Sequence, residues 1–334
     1  MARINILGIP HDYELTPPRA GVPVLVFIHG WLLSRAYWQP LIDRLSPHYQ
    51  CLSYDLRGFG DSRSTLACPR QLQGHCLEKA ETIPREYTPA AFAQDLALLL
   101  AHLEITGAVW LVGHSLGGTI ALWGAAKLPA LVKGVICVNA GGGIYLKEEF
   151  ERFRSAGEGL VKRRPAWLKH IPLIDFLFAR AMVFHPLERF WGKQRVLDFI
   201  NADPTAALGT LLDCTTEAEV HKLPSLVCQL SQPVYFFAGQ NDQIMEPKYV
   251  QHLASFHYLF RSGINNVIEV PQCGHMAMLE YPDLVAEQMI GILTTNPPAL
   301  NPALNPALNP ADNLCNLPLD LPKLDLVKED EWEI

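Results

Sequence analysis

The sequence predicts a doubly wound α/β fold, in which a mostly parallel sheet is interrupted by an inserted helical cap. Short, continuously apolar runs alternate with segments of helical periodicity in the first half of the chain, which is the pattern of buried parallel strands joined by helices. Between residues 141 and 232 no convincing strand occurs, and the strand pattern resumes at residue 233. At 334 residues and 49% hydrophobic content, the chain can bury a large core.

The alternation of strands and helices can be followed along the chain. The predicted strands cover residues 22–29, 49–55, 108–112, 132–139, 233–238 and 266–270, and helices are expected at 88–103, 116–127 and 282–293. Strands in βαβ order run parallel, and such sheets bind ligands at the carboxyl ends of their strands. Candidate functional residues are therefore sought in the loops that follow strands.

Three further regions divide the chain. Helix-like segments at 147–162, 174–184, 187–200 and 204–214 predict a cap at residues 141–232, inserted between two parts of the core at 1–140 and 233–295. A second insertion at 63–86 carries Cys68, His75 and Cys76 and predicts an irregular loop. Residues 296–334 repeat the unit NPAL and end in acidic sequence. A proline every fourth residue excludes helix and central strand, so we expect a disordered linker with a solubilising tail rather than a partner-binding motif.

The tail also accounts for most of the formal charge of −7, because the sequence after residue 311 contains seven acidic residues and only two lysines. The remaining body is nearly neutral, which predicts no nucleic-acid partner. Eight cysteines without C-x-x-C spacing favour buried, reduced thiols over the alternative of a zinc or disulfide framework. The N-terminus lacks the pattern of a signal peptide, and the apolar runs are too short to span a bilayer. These features together predict a cytoplasmic protein without a transmembrane segment.

The candidate nucleophile lies in the sequence GHSLGG, residues 113–118. Ser115 follows a predicted strand and precedes a predicted helix, which is the strand–turn–helix context of a nucleophile elbow. Gly113 and Gly117 are expected because a Cβ at either position would clash across so tight a turn. A serine hydroxyl is a weak nucleophile at neutral pH, so the interpretation requires a base and a carboxylate elsewhere in the chain.

Both groups follow in the order serine, acid, histidine. Asp242 comes after the strand at 233–238, and His275 comes after the strand at 266–270. Considered singly, Asp242 is an ordinary turn residue and His275 an ordinary loop histidine. Three such residues at strand ends in this order predict a catalytic triad of Ser115, Asp242 and His275.

At this point the chain resembles the α/β-hydrolase superfamily, in its cap-bearing branch. The matching motifs are FIHGW, YDLRGFGDS, VGHSLGG, AGQNDQIMEP and CGHMAMLEYP, at residues 27–31, 54–62, 112–118, 238–247 and 273–282. As a set they are highly specific, and the resemblance extends over residues 22–293. It implies an enzyme of the α/β-hydrolase fold that needs neither a metal nor an organic cofactor.

The resemblance implies further site residues. The backbone N–H groups of Trp31 and Leu116 would form the oxyanion hole, where losing one donor costs about 10²–10³ in rate. Four residues, His29, His114, Asp55 and Arg57, would have structural roles in the neighbouring loops. Some members place the acid after the strand that precedes the cap, but this chain has Asn139 there, which favours Asp242. A serine at position 115 also excludes the branches that use an aspartate nucleophile.

The cap suggests what kind of substrate is bound. Residues 162–186 are rich in large apolar side chains behind a basic start. These side chains either pack the cap onto the sheet or line a pocket for a lipophilic acyl or alcohol group. Lys162, Arg163, Arg164 and Lys169 would then favour peripheral contact with a membrane.

We therefore predict a cytoplasmic serine hydrolase that cleaves a carboxylic ester or thioester with a hydrophobic group through an acyl-enzyme. Carbon–carbon bond hydrolases, cofactor-free lyases and perhydrolases use the same fold and triad, so the bond that is broken stays open. A receptor with slow turnover is the alternative from a different class. The sequence does not determine the natural substrate or the oligomeric state.

Overall fold

The structure, a computed structural model, describes residues 1–63, 86–141 and 147–295, with side chains described from residue 151 onward in the last range. The second predicted insertion, apart from its two end residues, and the predicted tail lie outside the described residues. The strands are β1 (Ala2–Ile6), β2 (Ile9–Leu15), β3 (Val24–Ile28), β4 (Gln50–Tyr54), β5 (Val109–His114), β6 (Val132–Val138), β7 (Val234–Gly239) and β8 (Val267–Val270). Within the described part of the chain they form one sheet in the order β1-β2-β4-β3-β5-β6-β7-β8.

The sheet is parallel from β4 to β8 and covered by helices on both faces. Successive residues of a strand point to opposite faces, and in β3 Val24, Val26 and Ile28 join one apolar cluster while Leu25 and Phe27 join the other. The helices of the core are α1 (Gln39–Leu45), α2 (Pro89–His102), α3 (Leu116–Lys127), α9 (Pro247–Ser255), α10 (Tyr258–Arg261), α11 (Ala277–Glu280) and α12 (Pro282–Thr295). The predicted doubly wound, mostly parallel α/β fold is confirmed.

The antiparallel edge of this sheet was not predicted from the sequence. β1 and β2 form a hairpin with Ile6 opposite Ile9, and β2 pairs antiparallel with β4. The two residues between the strands, Leu7 and Gly8, both have positive φ, at 52° and 77°. Two positive φ values in a two-residue loop are typical of the type I′ hairpin turn, whose twist matches that of the strands. The Leu-Gly pair between two apolar-polar runs was the available signal.

Among the described residues, five α-helices lie between β6 and β7, where the sequence predicted a cap: α4 (Lys147–Lys162), α5 (Ile174–Arg180), α6 (Arg189–Asn201), α7 (Pro204–Cys214) and α8 (Glu217–Gln229). We call them the inserted helices. Two of them, α4 and α7, match the predicted bounds, while α5 ends four residues earlier than expected. Helix α8 was missed because Pro224 lies inside it, and an internal proline normally disrupts a helix. The domain bounds of 141–232 for a cap stay a prediction.

The cysteines correct part of the sequence interpretation. Four of them, Cys51, Cys137, Cys214 and Cys273, are free and buried, as expected. Cys228 is disulfide-bonded, so the expectation of reduced thiols is wrong at that position. Because disulfides are rare in cytosolic proteins, the cysteines no longer argue for a cytoplasmic location. No helix in the described ranges is long and apolar enough to cross a membrane.

Buried ion pairs brace the loop after β4. Asp55 accepts hydrogen bonds from the backbone N–H of Arg35 at 2.7 Å and of Asp61 at 2.8 Å, and it pairs with the Arg35 guanidinium. Arg57 donates from Nε to Asp95 on α2 at 2.5 Å. These contacts agree with the bracing roles expected for Asp55 and Arg57. They also show that buried arginines in this part of the protein are matched by carboxylates.

Two fully buried histidines are held as neutral side chains. His29 Nε2 accepts a hydrogen bond from the Leu56 N–H at 2.9 Å, and its Nδ1 donates to the Gly30 carbonyl at 2.8 Å. His257 lies between the Gln232 carbonyl and the Leu259 N–H. Burial lowers the pKa of His29 to about 4 and that of His257 to about 4, because the charged imidazolium would be poorly solvated.

This predicts a stability that falls on acidification. Between the ordinary histidine pKa of 6.5 and about 4, the unfolded chain binds a proton that the folded chain does not. Each such histidine therefore lowers the free energy of unfolding by about 1.4 kcal/mol per pH unit as the pH falls through this window. Urea unfolding of wild type and His257→Gln between pH 7 and pH 5 should show a shallower pH slope for the variant.

A His48→Gln variant serves as the control, because His48 is exposed. Its pH slope should equal that of the wild type. Equal slopes for the wild type and the His257→Gln protein would contradict the assignment of His257 as a buried neutral histidine.

Candidate active site

Ser115 occupies a strained turn between β5 and α3. Its φ of 52° and ψ of −120° lie outside the regions that non-glycine residues normally adopt. The backbone N–H of Ser115 donates to the Val138 carbonyl at the end of β6, at 3.0 Å. This contact ties the turn to the neighbouring strand, so the half-buried serine side chain is presented at the carboxyl ends of the strands.

Two glycines make this turn possible. A Cβ on Gly113 would lie 2.1 Å from the Gly117 carbonyl oxygen, and a Cβ on Gly117 would lie 2.1 Å from the Ile28 carbonyl oxygen. Real Cβ atoms do not approach backbone oxygens so closely, and neither backbone oxygen can move away easily. The expected need for glycine at both positions is therefore confirmed, and the turn is packed directly against the end of β3.

Asp242 and His275 form a buried hydrogen-bonded pair. The distance between Asp242 Oδ2 and His275 Nδ1 is 2.7 Å, and both residues are less than 5% exposed. Asp242 Oδ1 accepts from the N–H groups of Ile244 and Met245, each at 2.9 Å. Burial alone would raise the pKa of Asp242, but His275 and these two donors hold it below its ordinary value. The carboxylate is thus kept ionised beside the imidazole ring.

Asn139, at the alternative position for the acid, supports Asp242 directly. Its Nδ2 donates to Asp242 Oδ2 and to the Gly274 carbonyl, both at 3.0 Å. Its Oδ1 accepts from the Ala277 N–H at 3.2 Å. One amide side chain therefore links the ends of β6, β7 and β8, a role that the sequence analysis did not foresee.

His114 fixes the loop that carries His275. Its Nε2 donates to the His275 carbonyl at 2.7 Å, and the two rings are 4.9 Å apart. Burial lowers the pKa of His114 to about 3, so the ring stays neutral at any working pH. These contacts agree with the structural roles expected for His114 and for His29.

The two predicted oxyanion donors are positioned at the same edge of the sheet. Leu116 is the first residue of α3, where a backbone N–H has no acceptor within the helix. Among the described residues, neither the Trp31 N–H nor the Leu116 N–H donates a hydrogen bond. The Trp31 indole Nε1 donates to the Ala207 carbonyl on α7 at 2.8 Å, which fixes the ring against the inserted helices.

The loop of His275 is bound to the segment between α5 and α6 through contacts that were not predicted from the sequence. The His275 N–H donates to the Met182 carbonyl at 2.7 Å. The Glu280 carboxylate accepts from the Gly274 N–H at 2.9 Å and from the Phe184 N–H at 2.7 Å. The available signal was the acidic residue in the motif CGHMAMLEYP.

A cavity of about 500 Å³ lies beside Ser115 and His275. Ser115 and His275 line it together with Trp31 and Leu116, and most of the remaining lining is apolar. Its wall on the side of the inserted helices includes Phe153, Leu160, Phe178, Phe199 and Leu211. In the described structure, the Ser115 hydroxyl and the His275 ring are not hydrogen-bonded to each other. Hydrogen bonds between catalytic groups are often long before substrate binds.

The large apolar residues predicted for the cap divide into two groups. Phe178 and Met182 line the cavity, although Met182 is itself 42% exposed, whereas Leu177 and Phe184 are 66% and 44% exposed and do not line it. The exposed group does not pack the inserted helices onto the sheet, and membrane contact by this region stays a prediction. In the described ranges, no group of three or more His, Cys, Asp or Glu side chains is arranged to hold a metal ion.

The chain is similar in sequence to proteins of known families. A family model described as the alpha/beta hydrolase fold matches residues 23–282. A protein of Enterobacter cloacae, provisionally named carbamate hydrolase RutD, is 33% identical over 197 residues, covering 56% of this chain and 66% of that protein, just under two thirds of its length. A pimeloyl-acyl-carrier-protein methyl ester esterase of Xylella fastidiosa is 24% identical over 281 residues, covering 82% and 96%.

Among solved structures, a thermophilic esterase from Thermogutta terrifontis superimposes with a TM-score of 0.65 at 24% identity, covering 89% of this chain and all of that one. An esterase from Exiguobacterium antarcticum superimposes with a TM-score of 0.65 at 16% identity, covering 87% and 97%. At such identities the structural likeness establishes the fold alone. Because the family model spans most of the chain, the protein belongs to the α/β hydrolase fold family.

Proposed function

We propose that this protein is a serine hydrolase that cleaves a carboxylic ester or thioester through an acyl-enzyme. One observation carries the proposal: an ionised Asp242, hydrogen-bonded to His275 at 2.7 Å, lies beside the cavity that Ser115 and His275 both line. A nucleophile, a base and a group that orients the base are the parts that such a reaction needs.

The proposed chemistry follows from these groups. The Ser115 oxygen attacks the ester carbonyl while His275 takes the serine proton. Asp242 stabilises the imidazolium that forms. The N–H groups of Trp31 and Leu116 donate to the negatively charged oxygen of the tetrahedral intermediate. His275 then gives the proton to the leaving alcohol or thiol. Water repeats the sequence on the acyl-enzyme and releases the acid and the free serine.

The substrate class is inferred from the lining of the cavity. Large apolar side chains such as Phe153, Phe199 and Leu211 favour a hydrophobic acyl or alcohol group over a small polar one. Relatives with esterase names support the choice of an ester over a carbon–carbon bond. A receptor with slow turnover would use the same pocket but would retain the acyl group on the serine. The rate at which the acyl-enzyme is hydrolysed distinguishes the two functions.

The first prediction concerns the triad. Ser115→Ala should abolish ester hydrolysis, and Asp242→Asn should lower kcat by about 10⁴, because the neutral amide neither orients His275 nor stabilises its charge. Steady-state hydrolysis of a p-nitrophenyl ester measures both effects.

The control is Asp283→Asn, which neutralises an exposed carboxylate paired with Arg44 and should leave turnover at the wild-type value. Retention of full activity by Ser115→Ala would sink the proposed mechanism. Wild-type turnover by Asp242→Asn would remove Asp242 from it.

The second prediction concerns chain length. In a series of p-nitrophenyl esters from acetyl to decanoyl, kcat/KM should rise by up to about fourfold per methylene, since each buried methylene contributes ~0.8 kcal/mol. The Ala156→Phe variant, which adds bulk to the cavity wall, should lose activity on the decanoyl ester but not on the acetyl ester. A wild-type enzyme that turned over the acetyl ester far faster than the decanoyl ester would show that the pocket does not select a lipophilic group.

A further inference from the structure

One charged group in the cavity has no role in the proposed reaction. Arg195, on α6, lines the cavity and is 4% exposed. Two other arginines in the described ranges are similarly buried, Arg35 at 6% and Arg57 at 7%. Both of those pair with aspartate carboxylates. Arg195 forms no ion pair with any described residue, although burial makes an unpaired cation costly.

The contacts of Arg195 leave part of its guanidinium without a partner. Nη1 donates to the carbonyl oxygens of Phe178 and Ala181, at 2.5 and 2.6 Å. The other N–H groups of the side chain donate to no described residue. Asp198, one turn further along the same helix, is hydrogen-bonded instead to Ser34 Oγ at 2.9 Å and to Gln194 Nε2 at 3.1 Å.

A second polar group of the cavity is also unpartnered. Thr210, on α7, is 1% exposed and lines the cavity, and its hydroxyl has no hydrogen-bond partner among the described residues. Buried hydroxyls and charges are normally satisfied, so an exception in a ligand cavity points to a group that the ligand supplies. Most of the remaining lining cannot satisfy either group because it is apolar.

We propose that Arg195, assisted by Thr210, binds a carboxylate carried by the substrate at a distance from the ester that is cleaved. A guanidinium offers paired N–H donors that match the two oxygens of a carboxylate. This inference rests on the proposed ester hydrolysis and narrows its substrate class. The substrate is an ester with an apolar chain and an anionic end rather than a neutral lipid ester.

Arg195 also has a structural contact that a test must separate from binding. Its Nη1 holds the Ala181 carbonyl, and the next residue, Met182, accepts the hydrogen bond from the His275 N–H. Loss of Arg195 could therefore disturb His275 for every substrate alike. A role in binding the carboxylate affects only substrates that carry one.

The experiment compares two esters of equal chain length, the mono-p-nitrophenyl ester of suberic acid and p-nitrophenyl octanoate. In the wild type, kcat/KM for the suberate ester should exceed that for the octanoate by about tenfold or more, the usual effect of a hydrogen bond to a charged group. In Arg195→Met this ratio should fall at least tenfold, and in Thr210→Val it should fall a fewfold. A wild-type ratio near one would overturn the proposal.

Arg164→Met is the matched control. Arg164 also donates to two carbonyls at the end of a helix, those of Phe199 and Ala202 at 2.8 and 2.6 Å, but it does not line this cavity. Its variant should keep the wild-type ratio. Equal losses on both esters in Arg195→Met would assign Arg195 a positioning role and overturn the binding role.

A binding measurement keeps this inference independent of catalysis. Calorimetric titration of the Ser115→Ala protein with suberate should show saturable binding that the Ser115→Ala/Arg195→Met protein lacks. If neither ester were hydrolysed while suberate still bound through Arg195, the proposed function would fail and the carboxylate site would stand. If both esters were hydrolysed and suberate did not bind, the carboxylate site would fail alone.

Discussion

The site depends on how closely the turn after β5 approaches its neighbours. At Gly113 and Gly117 there is no room for a Cβ, because backbone oxygens of the turn and of β3 lie about 2 Å from where it would be. This approach holds Ser115 at a φ of 52°, a conformation that costs of order 1–3 kcal/mol. The surrounding strands stabilise it through burial, and the serine gains a fixed position where β5 ends and α3 begins.

A polar network extends from this turn to the other strand ends. Asn139, Asp242 and His275 follow three adjacent strands and are joined by hydrogen bonds of 2.7 to 3.0 Å. The network continues into the segment between α5 and α6, because the Met182 carbonyl accepts a hydrogen bond from the His275 N–H. The position of His275 is therefore coupled to a segment that lines the cavity. A change in the inserted helices can alter both the substrate pocket and the orientation of His275.

The sequence predicted the features that depend on local pattern. The strand–turn–helix around Ser115 and the bounds of α4 and α7 are encoded within a few residues, and motif order placed Asp242 and His275 at strand ends. Features that depend on tertiary contacts were missed. The hydrogen bond of Asn139 to Asp242 depends on how distant segments meet, which periodicity does not encode. The same holds for the salt bridges of Arg35 and for their absence at Arg195 among the described residues.

Other misses had local causes. The Leu7-Gly8 pair indicated the hairpin of β1 and β2, but the hairpin lies outside the βαβ pattern. Helix α8 was not predicted because it contains Pro224. The disulfide of Cys228 could not be inferred from cysteine spacing, since pairing depends on which chain segments meet in space.

Covalent labelling measures whether Asp242 and His275 make Ser115 a nucleophile. A fluorophosphonate probe reacts with an activated serine, and mass spectrometry of the digested protein locates the adduct. We expect one adduct on the peptide that contains Ser115, formed at least about 10³ times more slowly in His275→Ala. An adduct on another residue, or equal labelling rates in the two proteins, would contradict it.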